Sequence, residues 1–193
     1  MGLSQGALIA RYIIEKCEMK GKVRNYVSIG GPQQGVAALP HCSSGIMCDF
    51  INGLTDKAIY FSFVQDHVGP AGYFKDYKNF KDYSEYCKFL PGLNNEAAGK
   101  SSNDKKFGDL NHVLLMMFTQ DTMVYPKESE WFWEFDDNKN LLKVEETDLY
   151  KNDEIGLKVL MDTNKVDFVS VEGDHLQFSH DDLNNTIIPA LEK

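Results

Sequence analysis

Gly2-Leu3-Ser4-Gln5-Gly6, at the start of the chain, is the stretch on which the fold turns. It reads G-x-S-x-G and runs into a helix-forming segment in which Leu8, Ile9, Tyr12 and Ile13 share one face while Arg11 and Glu18 point elsewhere. Taken alone, these five residues read more readily as a Gly-Ser helix cap. The alternative is a nucleophile elbow, a sharp strand-to-helix turn that tolerates only small residues beside its serine. The rest of the chain decides between the two. Val23-Arg24-Asn25-Tyr26-Val27-Ser28-Ile29 is strand-forming and ends in Gly30-Gly31-Pro32. Val113-Leu114-Leu115-Met116-Met117-Phe118 is a continuous apolar run, as expected of a parallel strand covered on both faces, and ends in Thr119-Gln120-Asp121. Val166-Asp167-Phe168-Val169-Ser170-Val171 is the third such run and leads into Glu172-Gly173-Asp174-His175. A last helix is expected over about 181–191.

Open α/β sheets gather their chemistry at the carboxyl ends of their strands. Asp121 and His175 stand just past two such ends and Ser4 in the G-x-S-x-G stretch, which only Met1 precedes, in the chain order Ser…Asp…His that belongs to α/β-hydrolases rather than to chymotrypsin or subtilisin. Singly, Asp121 reads as a solvated strand-end carboxylate and His175 as a polar turn residue. Three suitable residue types at three suitable places favour catalysis. Ser4 Oγ becomes nucleophilic when His175 accepts its proton, and Asp121 orients the imidazole and stabilises the imidazolium. His41, His67, His112 and His180 follow no expected strand end. The expected architecture is one α/β domain over 1–193 with the α/β-hydrolase fold, N-terminally truncated, with a partial parallel sheet. The 80 or so residues between the first two recognisable strands are too many for a connector and point to a helical, cap-like insertion at about 37–110. Within it, Phe50, Ile51, Leu54, Ala58, Ile59, Phe61 and Phe63 form a helix-like apolar series that each read slightly better as core packing than as groove wall.

Composition narrows the function. The 193 residues are 42% hydrophobic and 25% charged, ordinary values for a globular chain. With 29 acidic against 20 basic residues and a net charge of −9, the chain lacks the cationic surface that nucleic acid requires. No apolar run approaches the roughly 18 residues of a membrane helix. No signal-peptide pattern is visible in these 193 residues. No cysteine or histidine cluster suggests zinc, and Gly30-Gly31 alone is too weak for a phosphate loop. Asn184-Asn185-Thr186 is the one N-glycosylation sequon, placing a candidate glycan on Asn184.

Further stretches carry a resemblance: Val27-Ser28-Ile29-Gly30-Gly31-Pro32-Gln33-Gln34-Gly35-Val36, Cys42 with Cys48-Asp49-Phe50-Ile51, Lys88-Phe89-Leu90-Pro91, Ser129-Glu130-Trp131-Phe132 and Glu172-Gly173-Asp174-His175-Leu176-Gln177. In these and in the elbow the chain resembles the palmitoyl-protein thioesterases, lysosomal α/β-hydrolases that remove fatty acyl groups from cysteine. The resemblance implies Ser4 as nucleophile, Asp121 as acid and His175 as base, with no metal or organic cofactor. It implies S-acylated proteins or peptides and fatty acyl chains as partners, a monomer, a lysosomal or secreted location, and a Cys42–Cys48 disulfide, the alternative being two free thiols. Cys17 resembles a family cysteine whose partner lies ahead of the elbow, and Cys87 has no implied partner. Family members carry roughly a hundred further residues before the elbow, including the loop that donates the second oxyanion N–H, which leaves the Gln5 N–H as the implied oxyanion donor here. Loss of one donor costs a factor of about 10²–10³. Pro32-Gln33 stands where some members carry Gln-His, a change expected at the rim of the site. Two other readings remain: a catalytically incomplete, acyl-binding remnant, and a lipase or carboxylesterase acting on oxygen esters.

Overall fold

The structure is a computed structural model that describes residues 1–38, 58–99 and 105–193. Its centre is a parallel sheet of four strands: β1 (Gly2–Leu3), β2 (Asn25–Ile29), β3 (His112–Phe118) and β6 (Val166–Val171), in the order β1-β2-β3-β6. The hairpin strands β4 (Glu134–Phe135) and β5 (Leu141–Leu142) lie apart. Register places Leu3 beside Ile29, Ile29 beside Met116, and Phe118 beside Val171. The four strands therefore end along one edge, and Ser4, Gly30, Asp121 and His175 lie just beyond it.

The continuous apolar run of β3 has the expected cause. Val113 and Leu115 face one side, packed with Ile14, Tyr26, Phe107, Phe132 and Leu157. Leu114, Met116 and Phe118 face the other, packed with Val27, Ile29, Val171, Ile187 and Ala190. The latter side is covered by the C-terminal helix, which runs as His180–Asp182, a π-turn at Leu183–Ile187 and Ile188–Glu192. Ser179 caps it by accepting the Asp182 N–H. Asn184 is exposed on the π-turn.

Helix α1 (Gln5–Lys16) corrects the expected apolar face. Ile9, Tyr12 and Ile13 are exposed, at 50%, 41% and 43%. The buried face is Ala7, Leu8, Arg11, Ile14 and Glu15, again at helical spacing but with a charge pair in it. Arg11 Nε lies 3.0 Å from Glu15 Oε1. Its Nη1 donates to Gln33 Oε1 at 3.0 Å and its Nη2 to Asn94 Oδ1. Gln33 is thereby a buried brace rather than a residue of the rim: its Nε2 also donates to Tyr26 Oη and Ser28 Oγ, both at 2.9 Å. A helix face this polar is buried because its partners were folded around it.

Within the insertion, the described part contains α2 (Ser62–His67), α3 (Phe80–Tyr86) and α4 (Leu90–Leu93). Ile59, Val64, Tyr73, Phe74, Tyr83 and Leu90 form their own cluster against Leu8 of α1. Ile59 is core as expected, whereas Phe61 and Phe63 are 66% and 65% exposed. Cys42, Cys48, Phe50, Ile51 and Leu54 lie outside the described residues. Cys17 and Cys87 are free thiols. Burial pushes the Cys87 thiol up to about 12. Among the described residues no helix is long and apolar enough to cross a membrane.

The two glycines beside Ser4 are not equivalent. A Cβ on Gly2 would stand 2.4 Å from Ala7 Cα and from Gly6 O, inside the turn. A Cβ on Gly6 would meet nothing within 4 Å. The expectation that both neighbours of the serine must be small therefore holds at Gly2 alone. Gly2→Ala is expected to lower the unfolding free energy by about 3 kcal/mol, while Gly6→Ala is neutral or raises it by about 0.5 kcal/mol through helix propensity. Denaturant midpoints of the two variants check this, and equal effects would contradict it.

Candidate active site

Ser4 sits between β1 and α1 with φ 50° and ψ −130°, a left-handed region that side chains rarely adopt. The turn is held by the Ser4 N–H, which donates to Ile29 O at 2.8 Å, and by the Ala7 N–H, which donates to Ser4 O at 3.0 Å. This strained turn exposes Oγ beyond the sheet, where it lies 2.8 Å from Nε2 of His175. His175 Nδ1 donates to Asp121 Oδ2 at 2.5 Å. Ser4, His175 and Asp121 thus form one hydrogen-bonded chain across 171 residues of sequence. The imidazole is 12% exposed and the Asp121 carboxylate 0%.

Each member is fixed by local geometry. Asp121 Oδ1 accepts the N–H groups of Met123 at 2.7 Å and Val124 at 2.8 Å, an Asx-type turn that follows directly from Asp at the end of β3. The loop of His175 is tied to it through Asp174, which accepts from the Thr122 N–H at 2.8 Å and hydroxyl at 2.9 Å and from the His175 N–H at 2.7 Å. Gly30, at φ +62°, lies beneath the ring: a Cβ there would stand 3.1 Å from His175 Cε1. Burial alone would raise the Asp121 carboxyl. Hydrogen bonds from His175, Glu130 and the Val124 N–H outweigh it and hold the group below the usual range.

Glu130 is a residue that sequence reasoning missed. It lies in the turn Lys127–Trp131 and is fully buried. Burial, and then the neighbouring Asp121, push its carboxyl up to about 10. In the sequence it stands two residues after Glu128 and ahead of two aromatic residues and carries no signal of its own. Among the described residues Asp121, Glu130 and His175 form the one grouping of ligand-type atoms, all within 4.8 Å of one another. A separate cleft of about 610 Å³, lined by Lys75, Glu96, Glu134 and Asp148 among others, contains none of these residues. Ser4, Asp121 and His175 are brought together, whereas the other histidines within the described part serve elsewhere: His112 is buried against Asp167 at 2.9 Å, and His67 bonds the Phe63 carbonyl.

A parallel sheet wrapped on both faces, with a strained serine at a strand-to-helix turn, is the build of an α/β-hydrolase. Comparison narrows the class. The pattern of the family described as Palmitoyl protein thioesterase matches residues 1–175, and the chain belongs to that family. It is 38% identical over 191 residues to Palmitoyl-protein thioesterase 1 of Caenorhabditis elegans, covering 97% of this chain and 64% of the relative. It is 30% identical over 193 residues to the palmitoyl-protein thioesterase-dolichyl pyrophosphate phosphatase fusion of Schizosaccharomyces pombe, covering 97% of this chain and 30% of the relative. A Drosophila melanogaster protein named as a lysosomal thioesterase PPT2 homolog is 26% identical over all of this chain and 67% of its own length. The chain thus spans less than two thirds of the first two relatives.

Proposed function

We propose that the protein is a thioester hydrolase that removes long-chain fatty acyl groups from S-acylated cysteine by a Ser-His-Asp mechanism. The observation that carries the reading is the chain of hydrogen bonds from Ser4 Oγ through His175 to Asp121, in a member of this family. In the reaction, Ser4 Oγ attacks the acyl carbonyl as its proton passes to His175 Nε2. Asp121 holds the ring by Nδ1 and stabilises its cationic form. The proton then leaves with the cysteine thiol, and a water deprotonated by His175 releases the fatty acid from Ser4. Charge on the tetrahedral oxygen is met by the Gln5 N–H, the first of the α1 donors without an intrahelical partner, at the positive end of that helix. Exposed Phe61 and Phe63, at the start of α2 a few residues ahead of Gly69, which lies beside the Gln5 side chain, supply apolar surface for the acyl chain.

The substrates are S-acylated proteins or peptides, and the protein acts as a monomer within one domain. Relatives named lysosomal thioesterases support a lysosomal location, where a glycan on Asn184 and a Cys42–Cys48 bridge would be compatible with the secretory route. A cysteine thiol is a better leaving group than an alcohol, so a palmitoyl thioester is expected to exceed the matching oxygen ester in kcat/KM by at least about tenfold. Shortening the acyl chain by four carbons is expected to lower kcat/KM by up to about 10²-fold, since each buried CH₂ contributes about 0.8 kcal/mol. Steady-state kinetics on the three substrates checks both, and preference for the oxygen ester would overturn the thioesterase reading.

A further inference from the structure

Glu130 has no part in the steps above, yet it is fully buried and its carboxyl lies within 4.8 Å of the Asp121 carboxyl. One of its oxygens, Oε2, accepts the Phe118 N–H at 3.2 Å, from the last residue of β3. The other, Oε1, meets no donor. Two carboxyl groups this close do not both ionise. Asp121 already receives the His175 Nδ1–H and the N–H groups of Met123 and Val124, so the negative charge belongs there. The proton therefore belongs on Glu130, where an ionised Oε1 would be an orphaned buried charge and a hydroxyl has an acceptor in Asp121.

We propose that Glu130 is a positioning residue that, as a neutral carboxylic acid, donates a hydrogen bond to the Asp121 carboxylate, keeping it ionised and aimed at His175 while moderating its charge. This rests on the reading of Ser4, His175 and Asp121 as catalytic. The consequence concerns the acidic side of the pH–rate profile. Each donor to Asp121 spreads its charge and weakens its hold on an imidazolium, so the base survives to lower pH. Among the described residues the other charged groups facing this site are Asp174, on the His175 loop, and Glu128, which is paired with Lys127 at 3.0 Å.

Glutamine is the isostere of the protonated form, because its carbonyl can accept from Phe118 and its amide can donate to Asp121. Leucine removes both. The test measures kcat/KM against pH for the parent, Glu130→Gln and Glu130→Leu, with infrared difference spectra for the carbonyl stretch of a buried carboxylic acid. In Glu130→Gln the acid limb stays with the parent, and in Glu130→Leu it moves to higher pH by about half a unit. The infrared band is present at neutral pH in the parent and absent from Glu130→Gln. An acid limb that moves to lower pH in both variants would mean that Glu130 is ionised, and would overturn the proposal. So would a parent spectrum without the band. The infrared arm needs no turnover, and fluorophosphonate labelling that persists in Ser4→Ala would sink the catalytic reading while leaving the Glu130 protonation standing.

Discussion

Ser4→Ala is expected to lower thioester turnover by at least about 10⁴-fold, the loss that follows removal of a triad nucleophile while binding and oxyanion contacts remain. The fold survives this change. Ser4 Oγ makes its described contact to His175 alone, and the turn is held by backbone bonds of Ser4 to Ile29 and Ala7 that alanine keeps. A second substitution separates chemistry from strain. Ser4 occupies φ 50°, ψ −130°, and backbone of this kind costs about 1–3 kcal/mol in a residue with a Cβ. Ser4→Gly removes the Cβ and is expected to unfold about 1 kcal/mol less readily than the parent while being equally inactive. The elbow would then be a case of stability given up to present a hydroxyl. Kinetics and denaturant unfolding of both variants provide the check. Turnover in Ser4→Ala within tenfold of the parent would remove Ser4 from the mechanism, and a less stable Ser4→Gly would remove the strain argument.

How much of this was legible in the sequence depended on where each signal was written. The strand Val166–Val171 was readable to the residue, because its β-branched run is bounded by Lys165 on one side and Glu172-Gly173 on the other. The run at β3 lacked only His112, a polar residue whose burial depends on Asp167, 55 positions away. Asp121 and His175 were legible because each stands a few residues past a readable strand, so parallel register brings their backbones to one edge, whereas Ser4, preceded only by Met1 and the two-residue β1, was legible from the G-x-S-x-G pattern. Glu130 follows no strand: its burial arises from a turn folded back beneath β3, and no periodicity records that. The face of α1 was misread for a related reason. Hydrophobicity favours Ile9, Tyr12 and Ile13, yet the polar groups that welcome Arg11 come from Gln33 and Asn94, distant in sequence.

That buried face carries the largest stability effect expected here. Arg11 and Glu15 are both 0% exposed and adjacent on α1. Arg11→Met takes away the guanidinium that faces Glu15, together with the donors to Gln33 and Asn94, and is expected to cost about 3–5 kcal/mol, as breaking a buried ion pair does. Pairing it with Glu15→Leu also removes the carboxylate that Arg11 faced. The double variant is therefore expected to recover at least about 2 kcal/mol of that loss, but not all, since Asn94 Oδ1 still lacks its donor. Activity is expected to follow α1 rather than the charge. Ser4 is rigidly coupled to this helix through the Ala7 N–H, and a misplacement of about 1 Å at a reacting atom costs about 10²-fold. Arg11→Met is thus expected to lose turnover at temperatures where it remains folded, and the double variant to regain part of it. Unfolding and kinetic measurements on the four-member cycle decide the matter: additive effects would show that Arg11 and Glu15 do not act as a pair, and full activity in Arg11→Met would show that α1 holds Ser4 without them.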